Sequence, residues 1–295
     1  MKTLLLAAML ALAVTAVSAQ ENASTQRLTF DRPEAWALNY FVSSTMLSGL
    51  DVPGNHQPGS ISIGLEAGWL PPLSAAQQRV GFYGTAPQDL NKAPIMVRPR
   101  VTVGLPGRLA VTAAGNPPIR SFGVTPRLVS GAIDWAMIDR KDWQLTVRGH
   151  EQTNTVTGAF TCPAPLVNVP PGSAGNPSGC TAESADVATL RYAGIEFAVS
   201  RRLGAVAPHV AVGANYIDSR YEVRAQAYGR PDNDDLATAG WTMSTSAGLT
   251  FALTERLSIA GDAFYSPLMV RRSPVAQKTL DGFLNARGLI EYRLR

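Results

Sequence analysis

The chain has 295 residues, with 26 Lys plus Arg against 22 Asp plus Glu, and charged residues make up 16% against 45% hydrophobic ones. An excess of base this small, nearly all arginine once Lys2, Lys92, Lys141 and Lys278 are counted, excludes a nucleic-acid-binding surface. The charged fraction is also low for a soluble surface, yet outside the N-terminus the apolar residues never gather into a membrane-length run, which is the pattern left by alternating strands.

The N-terminus reads as a secretory signal peptide over residues 1–19. Lys2 supplies the positive start, Leu4 to Val17 the short apolar core and Val17-Ser18-Ala19 the small-x-small cleavage site. No later run could span a bilayer as a helix. Residues 20–34 form a polar periplasmic lead-in, and residues 35–295 form one domain. No stretch ahead of Trp36 is long enough for a secreted passenger, which argues against an autotransporter domain.

Strand signals follow in order. Trp36 to Leu47 places Trp36, Leu38, Tyr40, Val42 and Met46 on one face. Beyond a Gly/Pro loop from Asp51 to Gly59, Ser60 to Leu70 sets Ile61, Ile63, Leu65, Ala67 and Trp69 against Ser62, Gly64, Glu66 and Gly68. Arg79 to Gly84 is a weaker third strand. Ile95 to Leu105 alternates well, although Pro99 removes a ladder donor and marks a bulge or a break in pairing. Leu109 to Ala113 follows a tight turn, and Arg120 to Met137 changes parity, so a bulge is expected near Val129 or Ser130. Trp143 to His150, the pair Thr189 to Ser200 and Ala205 to Tyr216, and Phe283 to Leu294 complete the set around the clearest hairpin of the chain. That hairpin joins Trp241 to Leu253 with Leu257 to Ser266, and each limb is long enough to cross a bilayer, which takes roughly 9 to 11 tilted residues.

Because backbone groups in lipid need internal partners, such strands can span only as a closed barrel, here of about twelve strands. Short turns at Leu105 to Arg108, Ile138 to Asp142, Arg201 to Gly204 and Thr254 to Arg256 alternate with long polar loops at Thr161 to Asp186, Asp218 to Ala237 and Pro267 to Asp281. With short turns facing the periplasm, both termini fall there. Trp36, Trp69, Trp135, Trp143 and Trp241 lie near strand ends, as girdle residues do. Over nearly all of the mature chain these features resemble the porin-like class of bacterial outer-membrane β-barrels. The resemblance implies an all-β, antiparallel transmembrane barrel in the outer membrane of a Gram-negative cell, in contact with its lipid. The last strand resembles the C-terminal assembly signal of that class but ends Leu294-Arg295 where an aromatic residue is usual.

Alternation turns Arg98, Arg100, Arg127, Arg148, Arg287 and Arg293 inward with His150 and His209, against the acids Glu66, Glu196, Asp262 and Glu291. Arginines around a narrow lumen draw anions. The expectation is therefore a passive, mildly anion-preferring channel for small solutes. The competing reading is a closed structural or adhesive barrel acting through its external loops, its charges paired across the lumen. An outer-membrane lipid hydrolase fits poorly, because Gln152 stands where such enzymes carry a serine two residues after the histidine, here His150. No enzyme, cofactor or metal site is expected, and Asp232 to Asp235 reads as a solvated loop. Cys162 and Cys180 flank a Pro/Gly-rich loop and are expected to pair in an oxidising compartment.

Overall fold

A computed structural model describes residues 25–47, 50 and 56–294, so the expected signal peptide lies outside the described residues. Ten strands close on themselves. In chain order they are β1 (Ile61–Trp69), β2 (Ile95–Leu105), β3 (Leu109–Gly115), β4 (Val129–Asp139), β5 (Trp143–Thr153), β6 (Tyr192–Arg201), β7 (Val206–Glu222), β8 (Asp235–Ala252), β9 (Leu257–Ser266) and β10 (Phe283–Arg293). Each pairs antiparallel with the next, and β10 returns to β1 from Ser62 opposite Arg293 to Trp69 opposite Ala286. Every wall strand is thus paired on both sides over at least part of its length, which closes the circuit as a bilayer requires.

Two of the expected strands are not in the wall, which accounts for ten strands where about twelve were anticipated. Residues 79–84 form only a two-residue strand and one helical turn in the loop between β1 and β2. Trp36 to Leu47 is largely helix instead: α1 spans Pro33–Ser44. Its apparent period of two is accidental, because Trp36, Ala37, Leu38, Asn39, Tyr40 and Val42 are buried on every side. The start signal was present in the sequence. Pro33 fixes the first helical φ without wasting a donor, and acidic Glu34 sits in the first turn.

The outer surface is an apolar belt. Ile63, Leu65, Val97, Ile195, Phe197, Val212, Met243, Leu249, Phe251 and Ile290 are all exposed on the outward face. Trp69 borders the belt at the long-loop end, where Tyr216 and Trp241 also meet edge to face at 5.4 Å. Trp143 borders the other end, with Arg201 over its ring at 5.3 Å. Trp36, expected in such a girdle, is buried inside the barrel mouth as part of α1. Among the described residues no helix is long and apolar enough to cross a membrane, which leaves the strands to do it.

β7 and β8 extend beyond the barrel rim and carry a small outer sheet. Gln26–Arg27 joins it in parallel beside Leu236 and Ala237, and Asp186–Thr189, Thr155–Gly158 and Val124–Pro126 continue it on the other flank. Residues 25–32 therefore lie at the long-loop end, opposite to the expectation for the N-terminal lead-in. The bulge expected near Val129 or Ser130 is not there: the register that sets Val129 opposite Thr153 runs on unshifted to Pro126 opposite Val156, and the irregularity of β4 lies between Ala136 and Ile138. The disulfide Cys162–Cys180 forms as expected, its Cα atoms 5.5 Å apart.

Candidate functional site: the occupied lumen

α1 enters the barrel from the long-loop end with its C-terminus aimed into the lumen. A helix C-terminus carries partial negative charge and carbonyls without helical partners. Two wall arginines meet them. Arg98 on β2 donates to Thr45 O at 2.7 Å and Met46 O at 3.3 Å, and Arg287 on β10 donates to Met46 O at 2.8 Å. From β5, Gln152 donates to Thr45 Oγ1 at 2.9 Å. The Leu47 amide donates to the Tyr192 hydroxyl at 2.7 Å, which itself lies 3.2 Å from His150 Nδ1. Five wall residues from four strands thus converge on residues 45–47.

Beyond that clamp the chain continues down the lumen. Leu47 packs on inward Ala114 and Ala132, and Leu50 on inward Ala260 and Leu289. At the short-turn end, Gly59 donates to Gly104 O and Gly104 donates to Ser60 O, both at 2.9 Å. Gly104 is required there, since a Cβ would stand 2.1 Å from Gln57 O. The described residues ahead of β1, Thr45 to Leu47, Leu50 and His56 to Ser60, therefore lie in order from one mouth to the other and are called the strap. His56, Gln57 and Asp134 line a pocket of about 300 Å³ at the short-turn mouth.

The charges behind the clamp are balanced. Arg98, Arg100, Arg148 and Arg287 are buried and inward, as are Glu66, Asp134, Glu196 and Asp262. Glu66 pairs with Arg98 at 2.6 Å and Arg100 at 3.9 Å. Arg148 reaches Asp134 at 2.5 Å and Glu196 at 3.5 Å, and Arg287 reaches Asp262 at 3.9 Å while lying 3.9 Å over the Phe264 ring. His150 and His209 are also buried and inward. Asp134 is the acid that the inward count omitted, although the outward placement of Ile133 and Trp135 already implied it.

Three expected site residues stand apart. Arg127 is exposed on the connection from the outer strand to β4, with its amide donating to Thr155 O at 2.8 Å. With no bulge at Val129, it shares the outward, odd parity of Val129 and faces away from the lumen. Glu291 and Arg293 keep inward parity but are only half-buried at the short-turn mouth. His150 and Gln152, considered above as hydrolase positions, both support the segment in the lumen.

A second polar centre organises the outer loops. The carboxylate of Asp186, fully buried, accepts from the amides of Phe160 at 3.0 Å, Thr161 at 2.7 Å and Arg224 at 3.0 Å and from the Ser184 hydroxyl at 2.7 Å. It ties the cysteine loop to the β7–β8 connection. Sequence offered only an aspartate beside a loop. Near the N-terminal strand, burial works against the charge on Asp31, but the Thr29 hydroxyl, Lys278 and Arg271 outweigh it and hold the carboxyl below its usual value.

A closed antiparallel barrel with an apolar belt and a polar interior defines the class: a bacterial outer-membrane β-barrel. No protein-family model matches the chain, and no curated protein matches it. Among solved structures the chain is similar to the attachment invasion locus protein Ail of Yersinia pestis, with 12% identity, 81% of this chain and 100% of that one covered, and a TM-score of 0.31. It is also similar to the outer membrane protease OmpT from Escherichia coli, at 8% identity, 80% and 94% coverage and a TM-score of 0.40. The toluene transporter TodX of Pseudomonas putida is a third, at 10% identity, 86% and 74% coverage and a TM-score of 0.34. The class rests on this chain's own ladder and belt.

Proposed function

We propose that this chain is exported by its N-terminal signal into a bacterial outer membrane, where it is a non-catalytic barrel closed at rest that works through its long-loop end. The observation that carries this reading is the engagement of Arg98 and Arg287 by the Thr45 and Met46 carbonyls. The arginines best placed to form an anion path instead hold the residues that occupy it. Among the described residues, equal numbers of buried inward arginines and acids also remove the positive excess that anion preference needs. Conduction of small anions requires α1 and the residues after it to leave the lumen.

The external end is built for contact. An outer sheet, a disulfide and the buried Asp186 centre hold loops that the barrel itself does not need. The test is planar-bilayer recording of the refolded protein under a salt gradient, with heat-modifiable gel migration confirming the fold. The wild type should be silent, and Arg98→Ala with Arg287→Ala should open. Stable, discrete openings of the wild type would overturn the closed-barrel reading and restore the resting channel.

A further inference from the structure

The barrel wall has a gap, and its cause is visible in the sequence. The β2–β3 ladder runs from Leu105 opposite Leu109 to Arg100 opposite Ala114 and stops there. Continuing that register would set Pro99 opposite Gly115 and Val97 opposite Pro117. Neither proline has an N–H to donate, so the two strands cannot be joined in the usual way. The chain turns off instead, with Asn116 N donating to Leu128 O, and only the Asn116 side chain reaches back, donating from Nδ2 to Val97 O at 2.7 Å. From Ile95 to Pro99, about 13 Å of strand edge at ~3.3 Å per residue, β2 lacks a β3 neighbour.

Behind the gap lies a cavity of about 780 Å³, inside the ~300–1,000 Å³ range of small-molecule sites. Its floor is buried and apolar, with Tyr40 of α1, Leu90, Leu128, Phe160 and Leu190. Its rim is apolar too, but exposed: Trp69, Ile95 and Val97 belong to the lipid-facing belt, while Ile119 and Phe122 stand on the β3–β4 loop. A largely apolar surface therefore runs from the belt, through the wall, to α1. Ser44, Thr45, Asn91, Lys92 and Ser121 add polar groups to the lining, and Asn116 stands at the gap itself. Asn116, nine-tenths buried, has committed its amide nitrogen to Val97 O, and its Oδ1 lacks a partner among the described residues. A buried acceptor of that kind wants a donor.

We infer that this cavity takes the hydrocarbon chain of a membrane amphiphile, which enters sideways from the bilayer through the gap beside Pro99. Continuity of the rim with the belt selects the bilayer as the source, because a chain sliding in never exposes its methylenes to water. Tyr40 and Thr45 line the cavity, so the inference rests on the closed-barrel reading; silent wild-type recordings with labelling confined to the belt would mark its failure alone, whereas resting openings would mark the failure of that reading. Asn116 Oδ1 is available to a hydroxyl or amide N–H on the bound amphiphile.

The test uses the refolded full chain in phosphatidylcholine vesicles containing a phospholipid with a diazirine at its acyl-chain end. After irradiation, adducts are mapped by peptide mass spectrometry. The expected result is a probe-mass shift on floor residues such as Phe41, Leu128 or Val156, besides belt residues such as Leu249 and Ile259. Labelling confined to the belt would overturn the inference. So would floor labelling by a short-chain, water-soluble diazirine amphiphile with none from the phospholipid, since that would make the route aqueous.

Discussion

Replacing Arg98 by methionine tests the lumen clamp directly. The guanidinium is fully buried, bonds both Glu66 oxygens at 2.6 and 3.2 Å, and caps the end of α1 through Thr45 O. Methionine keeps the stem volume but strands the Glu66 carboxylate and one helix-end carbonyl. Breaking a buried pair costs ~3–5 kcal/mol. Arg100 remains 3.9 Å from Glu66, which places the expected loss at the lower end, about 3 kcal/mol. Guanidinium unfolding in lipid vesicles, followed by tryptophan fluorescence, measures it. Adding Glu66→Leu should recover most of the loss, because two apolar residues then replace a desolvated pair. The cycle should show a coupling of at least ~2 kcal/mol. A loss under ~1 kcal/mol for Arg98→Met, with no coupling to Glu66, is what a surface pair would give, and it would refute the claim that this pair is sealed inside a filled lumen.

Other expectations concern the outer end and the strap. Asp186→Ala strands four donors, and at ~1.5 kcal/mol or more for each charged hydrogen bond it should melt the cysteine loop locally; hydrogen exchange should rise over residues 160–186 but not across β9 and β10. Reducing Cys162–Cys180 should cost about 3 kcal/mol for an 18-residue separation, read as protease cleavage within the loop while the barrel stays intact. Gly104→Val places carbon where Gln57 O lies and should raise vesicle leakage by displacing the strap at the short-turn mouth. Asp31 has a depressed folded pKa, so its contribution is present above the unfolded value and is lost as pH falls through the folded one. Proteolysis of residues 25–32 should therefore increase on acidification below the ordinary carboxylate range, and Asp31→Asn should remove that dependence.

The wall was legible because each of its residues answers one local question, whether it faces lipid or the interior, and alternation encodes the answer. All ten wall strands were found for that reason, and Pro99 announced the break in pairing. The lumen was not legible in the same way. Whether Arg98 faces water or a helix end depends on what fills the barrel, and α1 was hidden by burial on all sides. A helix buried all round has no exposed polar stripe for periodicity to detect, so only Pro33 and Glu34 betrayed it. Arg127 was misplaced because a bulge was expected near Val129 and none is there, and a one-residue change of register reverses the facing of every side chain beyond it. The Asp186 centre draws its donors from positions up to 38 residues away, which no sequence window covers.

The path of the N-terminal segment also sets the order in which the barrel can close. β1 follows directly from the residues that leave the short-turn mouth, and it pairs with β10, the last strand of the chain. Once that seam is made, bringing Thr45, Leu47 and Leu50 to their places inside the barrel would require drawing the whole N-terminal segment through a filled interior. The strap must therefore be in place when β1 meets β10, with α1 held at the far side. This predicts a topology that differs from one with both termini on the short-turn side. An epitope placed just ahead of Gln26 should be reached by antibody together with one inserted at Gly175 in the cysteine loop, whereas one in the Thr254–Arg256 turn should be reached only from the opposite face. If the Gln26 epitope instead follows the Thr254–Arg256 turn, the segment does not traverse the lumen, and both the clamp and the closing order fall with it.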